Sequence, residues 1–145
     1  MKLLFVCTGN VCRSLMAERL SRRLARERGL ALEARSCGIA AESYFAVPGE
    51  IWRALAEAGE EPSPHVPQLV SRPLLEWADE ILAMTARQRD FLHDAFPEHR
   101  RKIGLLSERA GLNGDVADPI GKTWPEYRAC RLAISAALER VLPEP

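Results

Sequence analysis

The chain has 145 residues, 47% of them apolar, with 20 basic and 20 acidic side chains and a formal net charge of zero. That length supports one domain with its own core, without disulfides or metal to hold it. The balanced charge gives no global pull toward nucleic acid or an anionic membrane surface, and no apolar stretch approaches the ~20 residues of a membrane span.

The first apolar run, "KLLFV", has strand length and no alternation, which is the signature of a strand buried on both faces. Its short apolar stretch is too brief for a secretory signal. Ser14 is placed to cap a helix carrying Leu15, Met16, Leu20 and Leu24 on one stripe and ending at Gly29. "ALEARS" reads as a second strand. A helix begins near Pro48 and runs through "EIWRALAEAG" to Gly59, and the proline-rich "EEPSPHVPQ" breaks periodicity after it. Ser71 caps a short helix through Trp77, and "EILAM" is the third strand. Thr85 opens the helix "ARQRDFLHDAF", stopped by Pro97, and "KIGLL" is the fourth strand. A loop rich in glycine, asparagine and aspartate spans 107–123. Thr123 and Glu126, with Pro125 between them, predict a capping box for a last helix ending near Leu142.

Strands alternate with helices throughout. The expected fold is therefore a single α/β domain over residues 1–145, a four-stranded parallel sheet with helices on both faces. Ligands of such sheets bind beyond the carboxyl ends of the strands. The stretch "CTGNVCRS", residues 7 to 14, lies at such an end, between the first strand and the first helix.

A tight loop feeding a helix N-terminus turns backbone N–H groups toward an anion. Gly9 allows close approach, Asn10 tolerates the left-handed conformation such a loop needs, and Arg13 supplies a planar fork matched to phosphate oxygens. Cys7 stands at the base of this cradle, where positive potential favours the thiolate, a nucleophile for phosphoryl transfer. The Cys-x5-Arg spacing alone leaves a buried cysteine beside a surface arginine as an equal reading. Gly9, Asn10 and Ser14 in a strand–loop–helix context favour the cradle. The absence of G-K-[ST] excludes a nucleotide-binding Walker loop.

The full string resembles the signature C-x-G-N-[IVT]-C-R-S of low-molecular-weight protein tyrosine phosphatases, and the resemblance spans the chain. "SCG" at 36–38, "HVPQL" at 65–69, "ADEILAMT" at 78–85 and "GDVADPIG" at 114–121 are similar to further motifs of that family, in order. It implies hydrolysis of phosphotyrosine in proteins through a cysteinyl-phosphate. Cys7 is then the nucleophile, Arg13 the phosphate clamp, and Asp118 the acid that protonates the leaving group and afterwards activates water. It also implies a phosphate-binding loop of Thr8, Gly9, Asn10, Val11, Cys12, Arg13 and Ser14, supported by Ser36 and His65. Cys12 matches a neighbour able to form a reversible disulfide with the nucleophile. Cys37 and Cys130 match no functional position and read as core. No cofactor or metal is implied, since the cysteines fit no zinc spacing.

The partners expected are a phosphorylated protein or peptide, phosphate and other oxyanions. No nucleic acid or membrane partner is expected, and the chain is read as a cytoplasmic monomer or weak dimer with reduced thiols.

The chain departs from the family at Leu15, where proline is usual, and at Ile120, where tyrosine phosphatases carry an aromatic residue. Tyr44 and Phe45 then become candidates, with Ile120, for the wall around the substrate side chain. Protein arginine phosphatases on the same scaffold resemble the chain in "FVCTGN", "CRS-MAE", "ADxxLAMT" and "GDVxDP" but carry threonine at the position of Val11. Valine lacks that hydroxyl, so phosphotyrosine is expected ahead of phosphoarginine. Related arsenate reductases need two further cysteines near residues 80 to 90, and none is there. An idle phosphate-binding module would lose Cys7, Arg13 or Asp118, and all three are present.

Overall fold

The computed structural model describes residues 1–145. Strand β1 (Lys2–Cys7) is flanked by β2 (Glu33–Gly38) and β3 (Glu80–Ala83), with β4 (Ile103–Leu105) outside β3, all parallel in the order β2-β1-β3-β4. The β1 run is apolar without alternation because both faces are covered. Leu3, Phe5 and Cys7 point into a core shared with helices α1 (Arg13–Arg28), α2 (Gly49–Glu57) and α6 (Trp124–Val141). Leu4 and Val6 point into the opposite core, under α3 (Arg72–Trp77) and α4 (Ala86–Ala95). A 3-10 helix (Pro97–Lys102) leads into β4, and a four-residue helix α5 (Leu106–Arg109) follows it.

The expected four-stranded α/β fold is the fold observed. Ser71 caps α3, and Thr85 forms a full capping box with Gln88 on α4, contacts worth about 1 kcal/mol each. Three local expectations are corrected. The second strand runs from 33 to 38, two residues later than "ALEARS", in register with β1 (Lys2 opposite Glu33, Cys7 opposite Gly38). Thr123 makes no capping bond to the α6 backbone; its hydroxyl donates to the Glu126 carboxylate at 3.1 Å. Ser14 does not cap α1: the helix starts at Arg13, two residues before the Leu15 start that a Ser14 cap would give, and the serine hydroxyl is committed to the loop before it.

Candidate active site

The chain leaves β1 toward β2 on one side and later places β3 on the other, so the loop after Cys7 lies where the strand order reverses. Helices on the two faces diverge there and leave a crevice. The loop makes its turn at Asn10, the one non-glycine residue with positive φ, at 59°. The end of β2 presses against it: a Cβ on Gly38 would lie 2.3 Å from the Thr8 carbonyl oxygen and 3.0 Å from the Asn10 nitrogen. Only glycine fits that approach.

None of the backbone N–H groups from Thr8 to Ser14 donates to a protein acceptor. Consecutive free donors before a helix N-terminus form a nest for an anion. The side chains beneath hold this shape with fixed polarity. The Gln68 N–H donates to Asn10 Oδ1 at 3.0 Å, which fixes the orientation of the amide. Asn10 Nδ2 must then donate to Ser14 Oγ and Ser36 Oγ, both at 2.9 Å. Ser36 sends its own proton to Glu18 Oε1 at 3.0 Å. Ser14 Oγ, which accepts from Asn10, also lies 2.9 Å from Cys7 Sγ. His65 Nε2 lies 2.7 Å from the Asn10 carbonyl oxygen and acts as its donor, since a carbonyl only accepts.

Arg13 is buried and reaches across to the loop before α6. Its NH1 donates to the Val116 carbonyl at 3.0 Å, its NH2 lies 3.7 Å from Asp118 Oδ2, and its Nε has no protein partner. An orphaned guanidinium nitrogen beside free N–H groups fits an oxyanion. Asp118 itself is half exposed; its Oδ1 accepts from the Ile120 N–H at 3.1 Å, and Tyr127 Oη accepts from Gly121 N–H at 3.2 Å to anchor the loop's far end. The cavity so enclosed holds about 230 Å³ and is lined by residues 7–9 and 11–13 of the loop with Phe45, Asp118 and Ile120. A methyl on Gly9 would sit 3.7 Å from the Phe45 ring, inside this mouth.

Every residue expected in the loop is thus gathered at one strand end. Ser36 and His65 touch the loop through Asn10. Of the three candidate wall residues, Phe45 and Ile120 line the cavity, and Tyr44 does not. Tyr44 is 79% exposed and stacks edge-on against Phe45 from outside, ring centroids 5.1 Å apart. Cys12 faces Cys130 of α6: a hydrogen bond to that thiol, with burial, pushes Cys12 up and keeps it protonated, while the same bond lowers Cys130. Burial and then Cys7 raise Cys37 on the opposite face of the sheet. No cluster of three His, Cys, Asp or Glu side chains is close enough to hold a metal ion.

Three supports escaped the sequence reading. Glu18 is a buried carboxylate that takes the Ser36 proton and is paired with Arg19 Nε at 3.0 Å. Gln88 holds the Met84 and Thr85 N–H groups and donates to Thr8 Oγ1 at 3.1 Å. The Val116 carbonyl receives Arg13. For Gln88 a signal existed, since Thr-x-x-Gln is a capping-box pattern.

A family model described as low molecular weight phosphotyrosine protein phosphatase matches residues 2–144. The protein-arginine-phosphatase of Bacillus subtilis is 34% identical over 97% of this chain and 94% of its own. The structure of a low molecular weight protein tyrosine phosphatase from T. tengcongensis superposes with a TM-score of 0.93 at the same 34% identity, covering 97% of each chain. A YwlE arginine phosphatase mutant with a phosphorylated active-site serine gives a TM-score of 0.93 at 34% identity, over 97% of this chain and 93% of that one. With the motif, the sheet order and almost the full length in agreement, the chain belongs to the low molecular weight phosphotyrosine protein phosphatase family, whose phosphatases are cysteine-dependent.

Proposed function

We propose that this chain hydrolyses phosphorylated side chains of proteins through a cysteinyl-phosphate on Cys7, and that phosphotyrosine is its preferred substrate. In this reading the phosphoryl group sits in the nest, its oxygens held by the loop N–H groups and the Arg13 guanidinium. The Cys7 sulfur attacks phosphorus from the base, with Ser14 Oγ beside it. Asp118, at the rim, protonates the departing phenolate, whose conjugate acid has a pKa of about 10, an assistance worth roughly 10²–10⁴ in rate. The same carboxylate then takes a proton from the water that releases phosphate.

One observation carries the substrate choice. Val11, Phe45 and Ile120 line the cavity beside the nucleophile, and none offers a hydrogen bond. That wall suits an aryl group. A second reading, phosphoarginine, is favoured by the similarity to the B. subtilis protein-arginine-phosphatase and by the Asp118 carboxylate, a partner for a guanidinium at the rim. Identity does not separate the two readings, since an arginine and a tyrosine phosphatase share the same 34%.

The deciding experiment is kcat/KM for phosphotyrosine and phosphoarginine in matched peptides, on the wild type and Val11→Thr. The wild type should favour phosphotyrosine. The threonine variant should move the ratio several-fold toward phosphoarginine, as one hydrogen bond worth about 0.5–1.5 kcal/mol would. A wild type that strongly prefers phosphoarginine replaces the first reading with the second.

A further inference from the structure

The phosphate loop and the loop that carries Asp118 are both tied to a third element, the turn from β3 into α4. Met84 and Thr85 send their N–H groups to Gln88 Oε1 at 3.1 and 3.0 Å, and Gln88 Nε2 donates to Thr8 Oγ1 at 3.1 Å. The same turn holds the other loop. Its Met84 carbonyl accepts from the Val116 N–H at 2.9 Å, and its Ala86 N–H donates to Asp115 Oδ1, also at 2.9 Å. Residues 84–88 therefore grip one loop at Thr8 and the other at Asp115 and Val116.

Asp118 follows closely on these moorings. Upstream of it, Ser107 Oγ donates to the Gly114 carbonyl and Arg13 donates to the Val116 carbonyl. Downstream, the next bond outside the loop itself is the one from the Gly121 N–H to Tyr127 Oη. Asp118 thus rides on a span hung between 116 and 121. Ser107 and Arg13 are buried, whereas Asp115 is exposed, so its mooring can be removed without opening the core. Helix α4 does not depend on Asp115 for its cap, which Thr85 and Gln88 already provide. Ala86 is the first N–H of the helix, one of those that a capping box leaves free. The consequence of the Asp115 bond falls on the loop.

We propose that Asp115 is a positioning residue for the general acid: its bond to the Ala86 N–H fixes the loop against the β3–α4 turn and so sets Asp118 at the right height over the phosphate loop. The proposal rests on Asp118 being the acid that protonates the leaving group. Asp115 does not line the phosphate cavity and touches no reacting atom. Because Thr8 and Asp115 are referenced to the same five residues, the spacing between sulfur and acid is set through that turn as well as through Arg13. Proton transfer needs an approach of about 2.6–3.2 Å, and a displacement of about 1 Å can cost roughly 10²-fold in rate.

The experiment measures kcat/KM, which reports the steps up to cysteinyl-phosphate formation, for a series of aryl phosphates on the full-length wild type, Asp115→Ala and Asp115→Asn. Both variants lose the charge, but asparagine keeps an oxygen able to accept from Ala86, so the comparison isolates the bond. Asp115→Ala should lose about 10–100-fold on phenyl phosphate, whose leaving group has a pKa of about 10, and stay within about twofold on strongly activated esters. Its inhibition by inorganic phosphate should be unchanged. Asp115→Asn should recover most of the loss. Amide hydrogen exchange at Val116 and Ile120 should quicken roughly tenfold in the alanine variant and not in the asparagine variant. An equal loss across the series, an asparagine variant as impaired as alanine, or unchanged exchange overturns the proposal. Asp118→Asn is measured alongside. Without a leaving-group dependence there, the acid reading fails and the proposal with it; with that dependence present and absent in Asp115→Ala, the positioning role alone fails.

Discussion

Arg13 NH1 donates to the carbonyl oxygen of Val116 at 3.0 Å, joining two loops that are 103 residues apart in the chain. One guanidinium thus shapes the phosphate nest and fixes the loop that presents Asp118, 3.7 Å from its NH2. The third nitrogen, Nε, is buried without a protein partner and is left for the anion.

Arg13→Lys should therefore fail despite keeping the charge, because an ammonium cannot hold a carbonyl, a carboxylate and a phosphate oxygen in one plane. A fall in kcat of about 10²–10³-fold is expected, the usual effect of losing one preorganised donor at developing charge. Inhibition by inorganic phosphate should weaken in parallel. A lysine variant within tenfold of the wild type would mean the guanidinium serves only to join the loops.

Asp118→Asn should slow aryl phosphates with poor leaving groups far more than activated ones. A proton is needed only where the departing oxygen is basic. The measurement is the dependence of kcat on leaving-group pKa, which should steepen in the variant. A parallel downward shift across the series would assign Asp118 to positioning Arg13 instead.

The amide of Asn10 makes three side-chain hydrogen bonds, to Ser14, Ser36 and the Gln68 N–H, at a residue with φ of 59°. Asn10→Gly keeps the turn and loses the bonds, so it should cost about 1–3 kcal/mol in denaturant unfolding. Asn10→Ala should cost roughly 1 kcal/mol more, since alanine is strained in the left-handed region. Equal stabilities would show that the loop turns differently when the asparagine is absent.

The thiols of Cys12 and Cys37 are held protonated, the first by its hydrogen bond to Cys130 and burial, the second by burial. A group raised in the folded state contributes stability that is complete below its unfolded value and declines as pH rises above it. The unfolded thiol ionises near about 8.5, so stability should begin to fall above pH 9, by about 1.4 kcal/mol per pH unit for each such thiol. Cys37→Ala should make the decline between pH 9 and 10 shallower by about that amount. An unchanged slope would mean that the Cys37 thiol ionises in the folded protein.

The loop after β1 was legible in the sequence because its determinants are local. The apolar run of β1, a glycine, an asparagine able to turn left-handed and an arginine six positions after Cys7 all fall between residues 2 and 13. Thr85 announced the start of α4 for the same reason, since its cap is a bond between neighbours in the chain. Thr123 and Glu126 carried the same local pattern, yet their side chains bond each other rather than the backbone. Tertiary structure alone decided what supports the nest. Glu18 meets Ser36, Gln68 meets Asn10, and Gln88 meets Thr8 across separations of 18, 58 and 80 residues, and no local propensity encodes such meetings. The same holds for Tyr44, which stands against Phe45 outside the cavity. Chain order determines which residues can form a strand, a turn or a cap, because those contacts span a few bonds. The site's polarity, walls and thiol neighbours depend on how the sheet order brings distant segments to one edge.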